Sequence, residues 1–372
     1  MEEAPAAPPS SAGVESQQDS PPTIATDSLP EGKFRNSEEV TSNTLTTNHS
    51  SSSRDTTVNL TSPLHNDEIK QAPSFVPYAL KWTEHEMELR PVKPLTSSKP
   101  PGMTSNVFPR LEHSCTAVPN SAGEFIIFGG KVKPEKEEVM TNDVILLSTT
   151  DMSFTGLETN GAKPKVKSGH RAVIAGRVLV IFGGSNGDSY LHFLNLDTRE
   201  WSNLRPPAPY PGPRFGHSFI IVNNTIWLFG GGLVGDKMDD LWCIDLGTDG
   251  IEYVRWRRIP KKDPWPEARS YHTTVCYDGC LYIFAGQGIK DGEQKSHRND
   301  IWKFDIPNET WTKLQCDGQL PQPRTSHTAT VMGDNMFVFG GVIQGSKEGE
   351  FVRTDHAFVF NFQGIWSSAS RS

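Results

Sequence analysis

Five segments of this 372-residue chain share one pattern in one register, and this repetition constrains the fold more than any other feature. Each segment contains a histidine, then a short apolar run that ends in two small residues, and then an aromatic residue. The first of the two small residues stands at positions 129, 183, 230, 285 and 340, so the spacings are 54, 47, 55 and 55 residues. Periods of about 50 residues are typical of solenoids and propellers, in which each repeat packs against the next.

Each repeat predicts four short strands. In the third repeat these are SFIIV, TIWLF, LWCID and a strand around Trp256. Turn-forming pairs separate the first two strands of four repeats and suit two-residue hairpin loops; these pairs are Ala175-Gly176, Asn223-Asn224, Asp278-Gly279 and Gly333-Asp334. Antiparallel four-stranded units that repeat radially form a β-propeller, in which each unit is a blade. We therefore predict an all-β propeller.

Metal and cofactor sites are not predicted. Cys276 and Cys280 have the spacing of half a zinc site, but the intervening Asp278-Gly279 predicts a hairpin that pairs Tyr277 with Cys280. No second Cys/His pair at zinc-ligand spacing follows them. The five cysteines are an odd number without a secretory signal, so we expect reduced thiols.

The repeats divide the chain into four regions. Residues 1–74 are rich in Ser, Thr, Pro and acids and contain one aromatic residue, Phe34, so they cannot bury enough apolar surface to offset their ordering entropy. We predict a disordered tail over 1–74, a lone strand around Trp82 and a Pro-rich linker over 75–108, the propeller over 109–366, and a short tail over 367–372.

Charge and hydropathy limit the classes of partner. Residues 1–74 carry 11 acidic and 4 basic side chains, a net of −7 out of the chain's −8, so the repeat region has a net charge near −1. A nearly neutral body argues against binding of nucleic acid. No apolar run approaches the ~18 residues of a membrane span, and the first thirty residues lack a signal-peptide pattern. We expect a cytoplasmic location.

The repeats resemble those of the Kelch family. The motifs that carry the resemblance are an Arg-x-x-His at the start of a unit, the paired glycines after the second strand, and the aromatic residue of the fourth strand. The matching structural positions are Gly129, Gly130, Gly183, Gly184, Gly230, Gly231, Gly286, Gly340, Gly341, Trp201, Trp256, Trp311 and Trp366. Ala285 replaces one glycine, and Phe154 replaces the first tryptophan.

The resemblance implies that the first strand of each blade lines a central channel. It places five cations at one mouth of that channel: Arg110, Lys167, Arg214, Arg269 and Arg324. A ring of cations suits the carboxylates or phosphates of a partner protein. The alternative is that each cation pairs within the ring and holds adjacent blades together. The charged loops between second and third strands vary in length, and such loops on a rigid scaffold often determine binding specificity.

The predicted function is a non-enzymatic protein-interaction scaffold without cofactors. Kelch-type copper oxidases and iron-assisted specifier proteins are the enzymatic alternatives, but the chain has no Glu-x3-Asp-x3-His set and no nucleotide loop. A ubiquitin-ligase substrate adaptor is a third alternative, for which residues 1–74 are too polar to supply an added BTB or F-box module.

Two questions stay open at the level of sequence. The ring has either five blades and a surplus strand at Trp82, or six blades of which one is partial and whose open edges favour self-association. The segment from PYALKW to FPRLEHS also resembles the Kelch block of fungal cell-polarity proteins. That resemblance implies a role in polarity or cytoskeletal organisation, at the cell cortex or growing tips.

Overall fold

The computed structural model describes residues 88–93, 109–133, 137–233, 236–247, 254–290, 293–347 and 349–369, which belong to one compact unit, Ala72–Ser372. Within these ranges the chain forms strands and turns and no helix; accordingly, no described helix could cross a membrane. The prediction of an all-β propeller is confirmed. The predicted tail over 1–74 and the strand around Trp82 lie outside the described residues.

The first two blades contain the first eleven strands. Blade 1 comprises β1 (Glu88–Lys93), β2 (Arg110–Leu111), β3 (Ser114–Ala117), β4 (Glu124–Val132), β5 (Val139–Ser148) and β6 (Ser153–Leu157). Blade 2 comprises β7 (Asn160–Gly161), β8 (Arg171–Ala175), β9 (Val178–Phe182), β10 (Leu191–Asn195) and β11 (Glu200–Leu204).

The remaining strands form three further blades. Blade 3 comprises β12 (Ser218–Val222), β13 (Thr225–Phe229), β14 (Gly232–Leu233), β15 (Asp236–Lys237), β16 (Leu241–Asp245) and β17 (Trp256–Arg258). Blade 4 comprises β18 (Arg269–Ser270), β19 (Thr273–Tyr277), β20 (Cys280–Lys290), β21 (Glu293–Asp305) and β22 (Thr310–Lys313). Blade 5 comprises β23 (Asp317–Gly318), β24 (Arg324–Thr325), β25 (Thr328–Met332), β26 (Asn335–Phe339), β27 (Val342–Gln344), β28 (Phe351–Arg353), β29 (Ala357–Asn361) and β30 (Ile365–Ala369).

Four main strands pair antiparallel in every blade, in sequence order from the inner strand outwards. Three of the predicted hairpin loops are confirmed, including Asp278-Gly279, whose flanking residues Tyr277 and Cys280 pair as expected. The prediction of a loop at Ala175-Gly176 was wrong by one residue. Ala175 pairs with Val178, so the loop is Gly176-Arg177, and the glycine takes the first loop position with a φ of 57°.

Adjacent blades pack through one repeated group of three rings. The phenylalanine of a second strand packs between the histidine and the tryptophan of the following blade, as Phe128 does with His170 and Trp201. The same trios recur as Phe182/His217/Trp256, Phe229/His272/Trp311 and Phe284/His327/Trp366. The pattern explains why the three sequence features share one register. Each repeat supplies the phenylalanine to the interface with the following blade, and the histidine and tryptophan to the interface with the preceding one.

Backbone hydrogen bonds also join the blades in series near the inner strands. The N–H of Gly169 donates to Glu112 O at 2.9 Å, and Gly216, Tyr271 and Ser326 each donate to the member before them. Each of these five residues precedes the blade's histidine and has a positive φ. No corresponding bond links Ser326 to Glu112 in the part of the chain that the structure describes. These bonds therefore join the described blades at four interfaces.

The register of β1 bears on the number of blades. Glu88 and Leu89 run parallel to β6 and pair with Ser153 and Phe154. The linkers β7 and β23 do the same, since Gly161 and Gly318 pair with Trp201 and Trp366. Each of these linkers follows a blade whose fourth-strand aromatic lies six residues before the linker's first paired residue, and Trp82 stands six residues before Glu88. This register favours a six-blade ring.

The second glycine of the repeated pair tolerates no side chain. Gly231 has a φ of 88°, and a Cβ there would lie 2.7 Å from the Cβ of His217. We expect Gly231→Ala to lower the free energy of unfolding by at least about 2 kcal/mol, because backbone strain and overpacking add. Gly279→Ala is the matched control, since its φ is 65° with no atom within 4 Å. Thermal or urea unfolding of both variants tests this, and equal losses would contradict it.

Candidate partner-binding face

The five predicted cations lie at equivalent places, directly before the inner strands, and their side chains are buried. Lys167, Arg269 and Arg324 are 0% exposed, Arg214 is 2% exposed and Arg110 is 6% exposed. Buried charges require partners, because desolvation of an isolated ion costs several kcal/mol or more. The contacts of each side chain therefore decide what it can offer to a binding partner.

Each arginine binds its own blade through the carbonyl of the first small residue. The Nη1 group of Arg214 donates to Gly230 O at 2.9 Å, and that of Arg269 donates to Ala285 O at 3.0 Å. Arg110 and Arg324 make the same contact, with Gly129 O and Gly340 O. The carbonyl is presented inwards because the chain bends at this residue with a positive φ, which even Ala285 adopts, at 59°.

Four of the five cations also form an ion pair with an aspartate of the same blade. Arg214 pairs with Asp240 at 2.7 Å and Arg269 with Asp300 at 2.7 Å, both through two nitrogens. The other pairs are Arg110 with Asp143 at 3.1 Å and Lys167 with Asp188 at 2.8 Å. The sequence analysis did not identify these acids. In three blades the acid stands directly before a buried apolar residue of the third strand, a signal that could have been found.

Asp240 and Asp300 are held in the ionised form. Burial would raise the pKa of Asp300, but the hydrogen bonds from Arg269 and Trp302 hold it below its usual range. Asp240 behaves in the same way, with Arg214 and Trp242 as donors. A depressed pKa in the folded state stabilises the fold above the unfolded pKa, and this stabilisation is lost as the pH falls through the folded value.

The backbone of the same cations joins neighbouring blades. The N–H of Gly184 donates to Arg214 O at 2.9 Å, and the N–H of Gly231 donates to Arg269 O at 2.8 Å. Gly130 donates to Lys167 O in the same way. The cations therefore contribute to both the blade and the interface. Whether they also contact a partner stays a prediction.

Arg324 departs from the pattern, because it forms no ion pair with an aspartate of the described ranges. Its Nη2 atom is buried without a hydrogen-bond partner among the described residues, and the group lies 4.8 Å from the ring centroid of Phe358. Burial lowers the pKa of Arg324 to about 10. The residue at the position of the aspartate is His356, whose carbonyl accepts from Gly340 as that of Asp240 accepts from Gly230. Among the described arginines of the set, Arg324 is thus the one whose guanidinium has a nitrogen with no hydrogen-bond partner.

An aspartate at position 356 should complete this blade. We expect His356→Asp to raise the free energy of unfolding by about 1–2 kcal/mol, because a charge-assisted hydrogen bond to the unused Nη2 contributes on this scale. For a domain of this size that corresponds to a melting temperature about 2–4 °C higher. His356→Asn is the control without the charge. Equal melting temperatures for the two variants would contradict the expectation.

The connections between second and third strands carry exposed apolar residues in every blade. Each of the following side chains is at least 36% exposed: Val139 and Met140 in blade 1, Tyr190 in blade 2, Leu233 in blade 3, Ile289 in blade 4, and Phe351 and Val352 in blade 5. We call this set the loop-face residues. On the opposite face, the described turns expose Met332 and Ile365. Exposed apolar residues that gather on one face are typical of protein-interaction surfaces.

The repeated histidines and tryptophans serve the core. Burial lowers the pKa of His170 and of His327 to about 3, so these rings are neutral at physiological pH. Trp201, Trp256, Trp311 and Trp366 are at most 4% exposed. In the described ranges, no group of three or more His, Cys, Asp and Glu side chains is placed to hold a metal ion.

Comparison with known proteins gives consistent matches. The family model described as the KLHDC2/KLHL20/DRC7 Kelch-repeats domain matches residues 112–341. The chain is 27% identical to tip elongation aberrant protein 1 of Schizosaccharomyces pombe, over 64% of this chain and 25% of that protein. It is 26% identical to Kelch domain-containing protein 3 of Rattus norvegicus, over 76% of this chain and 73% of that protein. It is 28% identical to human host cell factor 2, over 64% of this chain and 32% of that protein. The match thus spans a quarter to three quarters of these relatives.

Proposed function

Because the chain belongs to the Kelch-repeats domain family, we propose that it is a non-enzymatic scaffold that binds a partner protein through the face that holds the loop-face residues. The observation that supports this most directly is that all five blades expose large apolar side chains on the same connections. The name of the fission-yeast relative refers to tip elongation. We therefore place the scaffold in cell polarity or cytoskeletal organisation, in the cytoplasm at the cortex or growing tips.

Introduction of negative charge into the apolar surface of each face tests the scaffold role. The double variant Ile289→Asp/Phe351→Asp alters the loop face, and Met332→Asp/Ile365→Asp alters the opposite face with a matched change of charge. We expect the loop-face variant to lose the proteins that the parent chain captures from a cell lysate, while the control retains them. Both variants should keep the melting temperature of the parent. Retention of every captured protein by the loop-face variant would refute the proposal.

The five cations, Arg110, Lys167, Arg214, Arg269 and Arg324, remain in the proposal as the polar part of the same face. Arg324 is the member to test first, because it has an N–H that no described acid occupies. We expect Arg324→Gln to weaken the capture, per folded molecule, of acidic or phosphorylated partners. We also expect it to lower the melting temperature by several degrees, because the hydrogen bonds to Gly340 O and Gln322 O are lost. A lower melting temperature with unchanged capture per folded molecule would assign Arg324 to the blade alone.

A further inference from the structure

A cleft of about 430 Å³ opens on blade 2, beside the ion pair of Lys167. Its walls are the linker residues Ala162–Lys165 on one side and the connection that contains Asn186 and Asp188 on the other. His192 and Asn203 belong to the two outer strands and complete the lining. The cleft therefore lies on the same side of the blade as the repeated cations and the loop-face residues.

The cleft exists because the second repeat is short. His170 and Trp201 are 31 residues apart, whereas the equivalent pairs in the last three repeats are 39 apart. Relative to the fourth repeat, all eight missing residues belong to the connection between second and third strands. Relative to the third repeat, three of the eight do, and the other five lie between the third and fourth strands. In the other blades this connection is extended by paired strands, such as β14–β15, the distal parts of β20 and β21, and β27–β28. Gly183–Tyr190 contains no paired strand, so no hairpin stands above the linker.

The acid in the cleft does not repel an anion, since its charge is already matched. Asp188 accepts hydrogen bonds from Lys167 at 2.8 Å, Asn186 at 3.1 Å and His192 at 3.3 Å. Burial opposes ionisation, but the bonds from His192 and Lys167 hold the pKa of Asp188 below its usual range. The field inside the cleft is consequently set by the groups that have no counter-ion.

Those groups are two lysines of the linker. Lys163 and Lys165 both line the cleft, and neither forms an ion pair with an acid of the described ranges. Asp143, the acid that interacts electrostatically with Lys163, is bound to Arg110 at 3.1 Å. Two ammonium groups on alternate residues of one wall, without acids of their own, attract a doubly charged anion more strongly than a carboxylate.

Two buried acceptors and an aromatic ring complete the site. Asn186 Oδ1 and His192 Nδ1 have no hydrogen-bond partner in the described chain, although the His192 side chain is only 8% exposed. Buried polar atoms without partners are uncommon in native structures. A peptide N–H that enters the cleft would satisfy such an acceptor. Tyr190 is 38% exposed and lies against the His192 ring at 6.3 Å, so it offers an apolar wall.

We propose that the blade 2 cleft binds the phosphate ester of a phosphorylated serine or threonine in a partner peptide, with Lys163 and Lys165 as the phosphate-binding residues. The proposal rests on the proposed scaffold function and names the chemistry of one of its contacts. Lys167 is a positioning residue in it, because its ion pair with Asp188 fixes the carboxylate that holds Asn186 and His192.

Calorimetric titration with a defined probe tests the site. The probe is the pentapeptide Gly-Ala-phosphoserine-Ala-Gly, blocked at both ends, and the comparison ligands are its unphosphorylated form and inorganic phosphate. We expect the phosphopeptide to bind the full chain at low salt and the unphosphorylated form not to bind. Lys163→Gln/Lys165→Gln should weaken binding at least tenfold without a change in melting temperature. Lys262→Gln/Lys347→Gln, which removes two exposed lysines elsewhere, should have no effect.

Each contrary result refutes one specific part of the proposal. Absence of phosphopeptide binding, or binding that Lys163→Gln/Lys165→Gln leaves unchanged, refutes the site. Inorganic phosphate that binds as tightly as the phosphopeptide refutes the peptide as its ligand. The scaffold function fails separately, through the Ile289→Asp/Phe351→Asp experiment. If that variant loses its partners while phosphatase treatment of the lysate changes nothing, the scaffold stands and the phosphate site is refuted.

Discussion

Asp300→Ala should lower the free energy of unfolding by about 3–5 kcal/mol, because it leaves the guanidinium of Arg269 buried without its counter-ion. Arg269 is 0% exposed and donates to both carboxylate oxygens, at 2.7 and 2.8 Å. Trp302 Nε1 loses its acceptor in the same substitution. Urea unfolding, with the slope compared between variant and parent, measures the loss.

An exposed pair supplies the control. Arg177 and Asp197 form an ion pair at 2.9 Å, but their side chains are 48% and 61% exposed. We expect Arg177→Ala to cost at most about 1 kcal/mol, since water screens such pairs. The double variant Arg269→Met/Asp300→Leu removes both buried charges and should recover part of the stability lost by Asp300→Ala. If Asp300→Ala unfolds at the same urea concentration as the parent, the buried pair does not stabilise the blade.

These pairs show what the sequence could and could not predict. The register of histidines, glycines and tryptophans predicts the blades, since each blade interface repeats the same three rings. The partners of the cations are harder to predict, because the separation from cation to acid is 33, 21, 26 and 31 residues in the first four blades. The separation varies with the length of the intervening connection. In blade 2 the acid even belongs to that connection, at Asp188.

The cleft on blade 2 was equally hidden from a reading of the sequence. The short second repeat and Lys167 were both visible as departures from the pattern. A shorter connection leaves the four strands unchanged. It opens a cleft only at the place where the other blades have a hairpin. Lys163 and Lys165 gain significance from the structure alone, because the linker that carries them runs along the outer strand of blade 2 before it enters the inner one.

The second prediction of a large loss of stability concerns Trp82 and depends on the number of blades. Phe128, Phe182, Phe229 and Phe284 each pack against the fourth-strand tryptophan of the following blade. Phe339 holds the same place in blade 5. From the register of β1 we propose that Trp82 is the tryptophan of a sixth blade that follows blade 5. Trp82 lies outside the described residues, and the six-blade proposal predicts that it packs at the interface with Phe339.

We therefore expect Trp82→Ala to lower the free energy of unfolding by about 3–5 kcal/mol, the usual cost of deleting a buried tryptophan. Trp366→Ala, which empties a site that is 1% exposed, is the benchmark within the same chain. Trp82→Phe is the conservative control and should retain most of the stability, because Phe154 fills the equivalent place in blade 1. Thermal unfolding compares the three variants.

A ring of five closed blades predicts a different result. There the segment around Trp82 is surplus, and Trp82→Ala melts within about 1 °C of the parent. Light scattering gives an independent reading of the same question, since a partial sixth blade leaves strand edges that pair with other chains. The six-blade arrangement therefore predicts association that increases with protein concentration. If light scattering shows a monomer, and if Trp82→Ala leaves the melting temperature unchanged, the ring has five blades and the segment around Trp82 lies outside it.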